Sequence, residues 1–445
     1  MCLFQMRSLL RSTTVKTIFY GVLSLGWANA ASLLAVPIYV RVLGHGEWGL
    51  AAACTLLQTL ASFLDAGLSQ IVPREISVAN HDRVCVSHVA THLRKRYLVA
   101  ASFLLLSVEF GAGFLAESWF KATQEEQYRL VIALRISAIQ VFFQFLNSLN
   151  LGIWYGLERH RTANLRSCTS VLARHGLALI CISFVDSSVI TYCTCFAVVA
   201  AAELLVNTIS IQKLLRHNSQ QCRCDGTLRS VGPQSSNLGT GLLLLTAGTI
   251  IGIAVAQGDR IATSRFATLT DYGIYSAISA VAASLLALQA PVSRVFLPQL
   301  VGDFRIQGWP TRSVMLKLGL SMVSISVAPT IVAALFADPI VRLFVADSGS
   351  IKLGVQTLRL QLCGVALSAP LACLYLVMLA SGRYGPMLAL NTATLVLLIA
   401  LVTAFPDRAD IRMGGILCIA ASSIRAIGAT LWYSSQSRRI STIRE

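Results

Sequence analysis

Apolar stretches recur along the whole chain of 445 residues, and no segment between them is long enough to fold as a separate soluble domain. A helix of about 20 apolar residues crosses a bilayer core of about 30 Å and satisfies its own backbone hydrogen bonds, which lipid cannot do. Only 13% of the residues are charged, about half the share in an average soluble domain, and this excludes an ordinary soluble enzyme. We therefore predict an all-α, polytopic membrane protein with twelve transmembrane helices, near residues 17–40, 48–72, 97–119, 130–155, 167–186, 188–211, 238–257, 272–297, 317–344, 355–381, 386–405 and 413–434.

The basic residues between these spans predict the orientation, because retained cytoplasmic loops carry an excess of Lys and Arg. The side of the two termini holds 23 basic and six acidic residues, whereas the opposite side holds ten basic and eleven acidic residues. We predict that both termini are cytoplasmic. The net charge of +16 is then mostly a topology signal, and no nucleic-acid partner is expected. A cleaved signal peptide ending at Ala28-Asn29-Ala30 is the alternative for the start, but cleavage there would cut the first span in half.

The twelve cysteines all lie in predicted spans or cytoplasmic segments, where thiols stay reduced. We interpret them as small apolar packing residues. His81, Cys85, His88 and His92 have zinc-ligand types at helical spacing, but no second cysteine pair completes a tetrahedral site. The sequence therefore predicts no metal site.

Short motifs recur at a nearly constant offset and indicate an internal repeat. Glu47-Trp48-Gly49 and Asp271-Tyr272-Gly273 are 224 residues apart, and Pro73 and Pro298, which end the second and eighth spans, are 225 apart. We predict an N-terminal lobe of six spans at 1–218, a cytoplasmic linker at 219–236 and a C-terminal lobe of six spans at 237–445. Transporters of this parallel-repeat kind carry their cargo between the two halves.

The motifs of the common enzyme classes are absent from the sequence. It contains no phosphate-binding loop ending in Gly-Lys-Ser/Thr, no His-Glu-x-x-His helix and no Gly-x-Ser-x-Gly turn. The longest predicted outer loop, from about Glu117 to Arg129, is too short to hold the acid and base groups of a membrane glycosyltransferase. We predict that the protein is not an enzyme.

Charged residues at membrane depth are the candidate functional residues, because each costs at least about 2.5 kcal/mol to insert and usually faces a wet or protein interior. Some of them could instead form structural ion pairs or extend to the headgroups. The arginines among them suit an anionic cargo, because a guanidinium binds phosphate with two hydrogen bonds and stays charged. Candidates for the substrate path are Arg41, Asp65, Arg74, Asp259, Arg260 and Arg294, and secondary candidates are Glu109, Arg135, Arg174, Glu203 and Arg425.

Several of these residues stand in short motifs. The first half has Pro37-Ile-Tyr-Val-Arg41-Val-Leu-Gly44-His-Gly-Glu47-Trp48-Gly49, Leu64-Asp65-Ala-Gly67-Leu and Pro73-Arg74, and the second half has Gln257-Gly-Asp259-Arg260, Asp271-Tyr272-Gly273-Ile-Tyr275 and Ser381-Gly382-Arg383. Together they resemble bacterial polysaccharide flippases of the Wzx type. These flippases share a superfamily with the multidrug and toxic compound extrusion (MATE) proteins.

The resemblance implies two six-helix lobes of the MATE kind in the bacterial inner membrane. It implies export of oligosaccharides linked to undecaprenyl diphosphate for O-antigen of lipopolysaccharide, capsule or exopolysaccharide, beside a polysaccharide polymerase and a chain-length regulator. Arg41, Arg74, Arg260 and Arg294 would then attract the diphosphate or acidic sugars. Asp65 and Asp259 would orient these arginines or take part in ion coupling. No cofactor is implied, and either the membrane potential or a coupling ion, H+ or Na+, would drive export.

Three alternatives remain open. A multidrug exporter of the same superfamily commonly has an acidic residue in its first span, but residues 17–43 of this chain contain no acidic residue. A lipid II flippase typically has two spans more than the twelve predicted for this chain. A membrane scaffold subunit has no need of repeated halves or charges at membrane depth.

Overall fold

A computed structural model of the chain describes residues 2–81, 86–222, 238–345, 347–404 and 411–444. Within these ranges the side chains at 2–25, 62–71, 74, 78, 80–81, 216–222, 238–246, 294, 298, 305 and 438–444 are not described.

The described residues fold into α-helices joined by short turns, as the apolar pattern predicts. Two π-helical turns interrupt them, Leu115–Trp119 after α2 and Val323–Val327 between α10 and α11. The helices are α1 (Cys2–His81), α2 (Val86–Phe114), α3 (Gln124–Gly156), α4 (His160–Phe184), α5 (Val189–Cys222), α6 (Leu238–Ala256), α7 (Gly258–Phe266), α8 (Leu269–Ala287), α9 (Gln289–Gln307), α10 (Arg312–Met322), α11 (Ala328–Leu335), α12 (Ala337–Arg342), α13 (Ser348–Ala380), α14 (Tyr384–Ala404) and α15 (Ile411–Arg444).

The helices form two compact units. The first comprises Met1–Leu43, Ala53–Ala116 and Thr123–Gln234, and in it α3 packs on α2 and α5 while α4 packs on α5. The second comprises Gly44–Ala52, Glu117–Ala122 and Ser235–Glu445, and in it α13 packs on α15, α8 and α9 while α14 packs on α6. Two short segments from the first half of the sequence therefore pack within the second unit.

Among the described residues, ten helical stretches are long and apolar enough to cross a membrane. This confirms a multi-pass membrane protein but not the predicted count of twelve. The first two predicted spans fall within one counted stretch, Gly26–Ala61, although the chain kinks between them at Gly44, whose φ of 80° and ψ of 166° are not helical. The seventh predicted span coincides with α6 (Leu238–Ala256), which is not among the ten because its side chains are described only over Ala247–Ala256.

Hydroxyl and carboxylate side chains set the starts of several helices. The Thr123 hydroxyl accepts from the Glu126 amide, and the Glu126 carboxylate accepts from the Thr123 amide at 2.8 Å, so α3 begins with a capping box. The Thr268 side chain caps α8 by accepting from the Asp271 amide, and the Asp347 side chain caps α13 by accepting from the Ser350 amide. These caps satisfy amides that have no partner within the helix.

Large apolar side chains on the outside of the helices provide the surface that lipid needs. Phe103, Phe110 and Phe184 are 69%, 86% and 86% exposed. In water such a surface would favour aggregation. The described cysteines are all free, and no group of metal-ligating side chains occurs within the described ranges.

Small residues let α1 and α3 approach closely in the first unit. Gly152 and Gly156 are one turn apart on α3, in the Gly-x-x-x-Gly spacing that brings membrane helices together. A Cβ atom on Gly152 would lie 2.7 Å from Val72 Cγ1, and one on Gly156 would lie 2.8 Å from the carbonyl oxygen of Pro73. The crossing therefore has no room for a side chain at either position.

We expect Gly156→Ala to lower the free energy of unfolding by about 1–3 kcal/mol, because the added methyl group forces α1 and α3 apart. The thermal midpoint of the protein in detergent measures the effect. Gly176→Ala on α4 is the matched control, since a Cβ there would meet no heavy atom within 4 Å, and it should not lower the midpoint. Equal midpoints for the two variants would contradict the close crossing.

Candidate functional site

Asp259 and Arg260 lie in a largely buried polar cluster of the second unit, the Asp259 cluster, which also contains Tyr275, Ser279 and Gln361. The helix that begins as α6 breaks at Gln257, whose φ of −108° and ψ of 4° are not helical, and resumes as α7. Asp259 therefore stands in the first turn of α7, where free backbone amides favour a negative charge. The break places two adjacent charges within a mainly apolar bundle.

Hydrogen bonds hold this cluster together across three helices. Tyr275 Oη donates to Asp259 Oδ2 at 2.5 Å, which fixes the carboxylate against α8. Arg260 Nη2 donates to the carbonyl oxygen of Ser279 at 3.4 Å. Gln361 Nε2, on α13, donates to Ser279 Oγ at 2.5 Å.

The cluster also has hydrogen-bonding capacity that its neighbours do not use. Gln361 is 1% exposed, and its Oε1 atom has no hydrogen-bond partner among the described residues, as is also the case for Oε1 of Gln257. The only hydrogen bond described for the Arg260 side chain is the long one to Ser279, although a guanidinium has five N–H donors. Such a site can offer donors and acceptors to a ligand that enters it.

Two ion pairs account for four of the secondary candidates, all in the first unit. Arg174 Nη2 on α4 lies 3.5 Å from Glu203 Oε2 on α5, with the two side chains 20% and 9% exposed. Ser170 Oγ donates to the same carboxylate oxygen of Glu203. Arg135 Nε on α3 lies 3.5 Å from Glu109 Oε2 on α2, in a more exposed position. In each pair the arginine and the glutamate lie on neighbouring helices, and their opposite charges compensate each other.

His175, next to Arg174 on α4, forms hydrogen bonds with side chains of α1. Its Nδ1 atom lies 2.9 Å from Tyr39 Oη, and its Nε2 atom lies 3.0 Å from Ser32 Oγ. The ring also packs edge-on against Phe196 of α5. Because both ring nitrogens already have a hydroxyl partner, we interpret this histidine as a structural contact.

The remaining charged candidates do not form one group in the described structure. Arg41 is exposed on α1 in the first unit. Arg425, on α15 of the second unit, donates from Nε to the carbonyl oxygen of Ala421 at 3.1 Å. The side chains of Asp65, Arg74 and Arg294 lie outside the described residues. The structure thus describes the surroundings of Asp259 and Arg260 and leaves the other substrate-path assignments as predictions.

The search for charges did not find Tyr275, Ser279, Gln361 or His175. All four are uncharged at the sequence level but polar, and they stand within apolar helices. Polar residues inside predicted spans are the signal that would have found them, because lipid offers such groups no hydrogen bonds and they turn toward protein.

Comparison with known proteins assigns the fold and the family. The profile of a family described as "Polysaccharide biosynthesis protein" matches residues 14–301, well over half of the chain. No curated protein matches the sequence significantly.

Solved structures with the same fold cover nearly the whole chain. A multidrug resistance MATE family transporter of the MOP superfamily in an inward-facing conformation shares 15% identity, with 94% of this chain and 95% of that chain covered and a TM-score of 0.64. The lipid II flippase MurJ in an inward closed conformation shares 12% identity, with 93% and 87% covered and a TM-score of 0.67. A MOP superfamily transporter from Pyrococcus furiosus shares 16% identity, with 97% and 96% covered and a TM-score of 0.57. These likenesses confirm the predicted MATE-like fold.

We expect Arg174→Ala to lower the free energy of unfolding by about 3–5 kcal/mol, because it leaves the Glu203 carboxylate buried without its cation. Thermal unfolding in detergent measures the loss. Arg342→Ala is the matched control: Arg342 pairs with Asp338 at 2.6 Å on α12, but the two side chains are 60% and 50% exposed. An exposed pair contributes little, so this variant should unfold like the unmodified protein. A loss of similar size in both variants would contradict a special role for burial at Arg174.

Proposed function

We propose a flippase function for this chain, which belongs to the family of polysaccharide biosynthesis proteins. Its cargo is an oligosaccharide unit linked to undecaprenyl diphosphate, which it moves from the cytoplasmic to the periplasmic leaflet of a bacterial inner membrane. The exported unit serves the assembly of O-antigen, capsule or exopolysaccharide. The family match over residues 14–301 carries this proposal.

The chemistry of the Asp259 cluster supports an anionic cargo. An arginine inside an apolar bundle is costly unless a partner compensates it, and the Arg260 side chain has only one long hydrogen bond among the described residues. A diphosphate would supply the missing acceptors, because its oxygens match the planar donors of a guanidinium. Asp259, held by Tyr275, would keep the guanidinium in place between transport cycles.

A cation-coupled multidrug exporter of the same superfamily is the second candidate. The fold is compatible with it, since one of the similar structures is a multidrug resistance MATE family transporter. The two functions differ in the charge of the cargo. Arg260 favours an anion, whereas a cationic drug would be repelled by it.

The first test is genetic. We expect a deletion strain to lose its surface polysaccharide and to accumulate lipid-linked units on the cytoplasmic side, and the unmodified gene to restore the polymer. Normal surface polysaccharide in the deletion strain would refute the flippase function.

Complementation of the same strain tests the arginine. Arg260→Ala should reduce surface polymer at least tenfold at unchanged protein level, and Arg260→Lys should keep part of it, because a lysine binds phosphate only as a point charge. Arg312→Ala is the control, since Arg312 is exposed at the start of α10, and it should restore polymer fully. Full polymer with Arg260→Ala would assign Arg260 to structure.

We further propose that the membrane potential drives export without a cofactor. A potential that is negative inside favours outward movement of an uncompensated negative charge by about 2.3 kcal/mol per charge per 100 mV. Proteoliposomes with a potassium diffusion potential test this: the rate of flipping should rise with an inside-negative potential and fall when its sign is reversed. A rate that follows only an imposed gradient of H+ or Na+ would show ion coupling instead.

A further inference from the structure

Polar contacts between α4 and α5 follow one antiparallel seam of the first unit. Arg166 Nη2 on α4 donates to Ser210 Oγ on α5 at 2.9 Å. About two turns further along both helices, Arg174 Nη2 lies 3.5 Å from Glu203 Oε2. The helices then meet at a short turn, since α4 ends at Phe184 and α5 begins at Val189. These contacts fix which residues of α4 lie opposite which residues of α5.

The same register places two thiols opposite each other close to this turn. About two turns beyond the Arg174–Glu203 pair, α4 carries Cys181 and α5 carries Cys195. The two thiols lie within hydrogen-bonding reach of each other, and both are free. Cys195 is 7% exposed, whereas Cys181 is partly exposed and stands one turn before the end of α4. A reagent can therefore reach the pair through Cys181.

The pair lies toward the predicted outer side of the membrane. The turn between α4 and α5 is on the side opposite the termini, which the distribution of basic residues predicts to be periplasmic. Disulfides form and persist in that compartment, whereas thiols on the cytoplasmic side stay reduced. Cys181 and Cys195 thus stand within spans, but at the ends of these spans that are nearest to the oxidising compartment.

We propose that Cys181 and Cys195 are a redox-sensitive thiol pair, which closes to a disulfide between α4 and α5 when the outer compartment is oxidising. The oxidant is a protein or a small molecule that itself carries a disulfide. The Cys181 thiolate attacks this disulfide and forms a mixed disulfide, and the Cys195 thiolate then displaces the remainder of the oxidant. One S–S bond forms in the chain and one breaks in the oxidant, whose two sulfur atoms leave as thiols with the two protons that the cysteines lose.

A second thiol contact in the same unit provides an internal control. Cys54 of α1 and Cys193 of α5 lie within hydrogen-bonding reach of each other, and Ser137 Oγ donates to Cys193 Sγ at 3.5 Å. These two cysteines are 0% and 1% exposed. Because thiol–disulfide exchange requires that the oxidant reach a sulfur atom, this pair should stay reduced.

Mass spectrometry of the full chain in membranes tests the pair. The membranes are equilibrated with mixtures of reduced and oxidised glutathione, and the remaining thiols are blocked with N-ethylmaleimide before digestion. We expect a peptide that links Cys181 to Cys195 in at least half of the protein at the oxidising end of the series, and its loss when dithiothreitol is added. No peptide should link Cys54 to Cys193. Free thiols at 181 and 195 throughout the series would overturn the proposal, and so would equal linkage of the buried pair, which would show unselective oxidation.

The thermal midpoint in detergent gives a second readout. Oxidised protein should unfold about 3 °C above reduced protein, because the disulfide restricts the unfolded chain. Cys181→Ser should abolish this difference, whereas Cys168→Ser, about two turns from the start of α4, should keep it. A difference that survives in Cys181→Ser would place the redox response elsewhere and refute the pair. Both measurements are made without cargo, so their outcome does not depend on the flippase function.

Discussion

The constraint on which the rest of the structure depends is that lipid offers no hydrogen bonds. Each backbone amide and each polar side chain inside a span has to find a partner within the protein. The backbone meets this requirement by forming helices, and the polar side chains meet it by bonding to neighbouring helices. Arg174 with Glu203, His175 with Tyr39, and Gln361 with Ser279 are all contacts of this kind. These polar residues thus add specific contacts between helices that lie side by side.

Much of the fold could be predicted from the sequence, because the hydrophobic requirement acts on every residue of a span and leaves a strong pattern. The helical, multi-pass fold follows from it directly. The number and bounds of the spans follow less well, because helix breaks depend on single residues. Gly44 has a positive φ at a kink between two helical segments, while Gln257 and Leu288 interrupt helices without any glycine or proline at their own positions. Packing determines such local backbone geometry, and it leaves no periodic pattern in the sequence.

The site could be predicted only in part, because charge marks a residue as costly in the membrane but does not reveal its partner. Glu109, Arg135, Arg174 and Glu203 were secondary candidates in the sequence, which did not show their partners, and the structure pairs them with one another across helices of the first unit. The uncharged members of the Asp259 cluster gave no such signal. The hydrogen bonds of Tyr275 and Gln361 become evident only when α7, α8 and α13 are packed together.

At membrane depth, a binding residue therefore differs from a structural one in the hydrogen-bond donors and the charge that remain without a partner after folding. The Arg174 guanidinium reaches both a carboxylate and a hydroxyl, Glu203 and Ser170, so its charge is already balanced. Arg260 has a carboxylate as its sequence neighbour, but no hydrogen bond between the two side chains is described, and among the described residues the guanidinium donates only to a distant carbonyl. A charged residue that has a partner of opposite charge stabilises the one conformation that contains the pair. A residue with unused donors stabilises the conformational state in which an acceptor reaches it. A transporter needs such residues, because it has to bind its cargo in one state and release it in another.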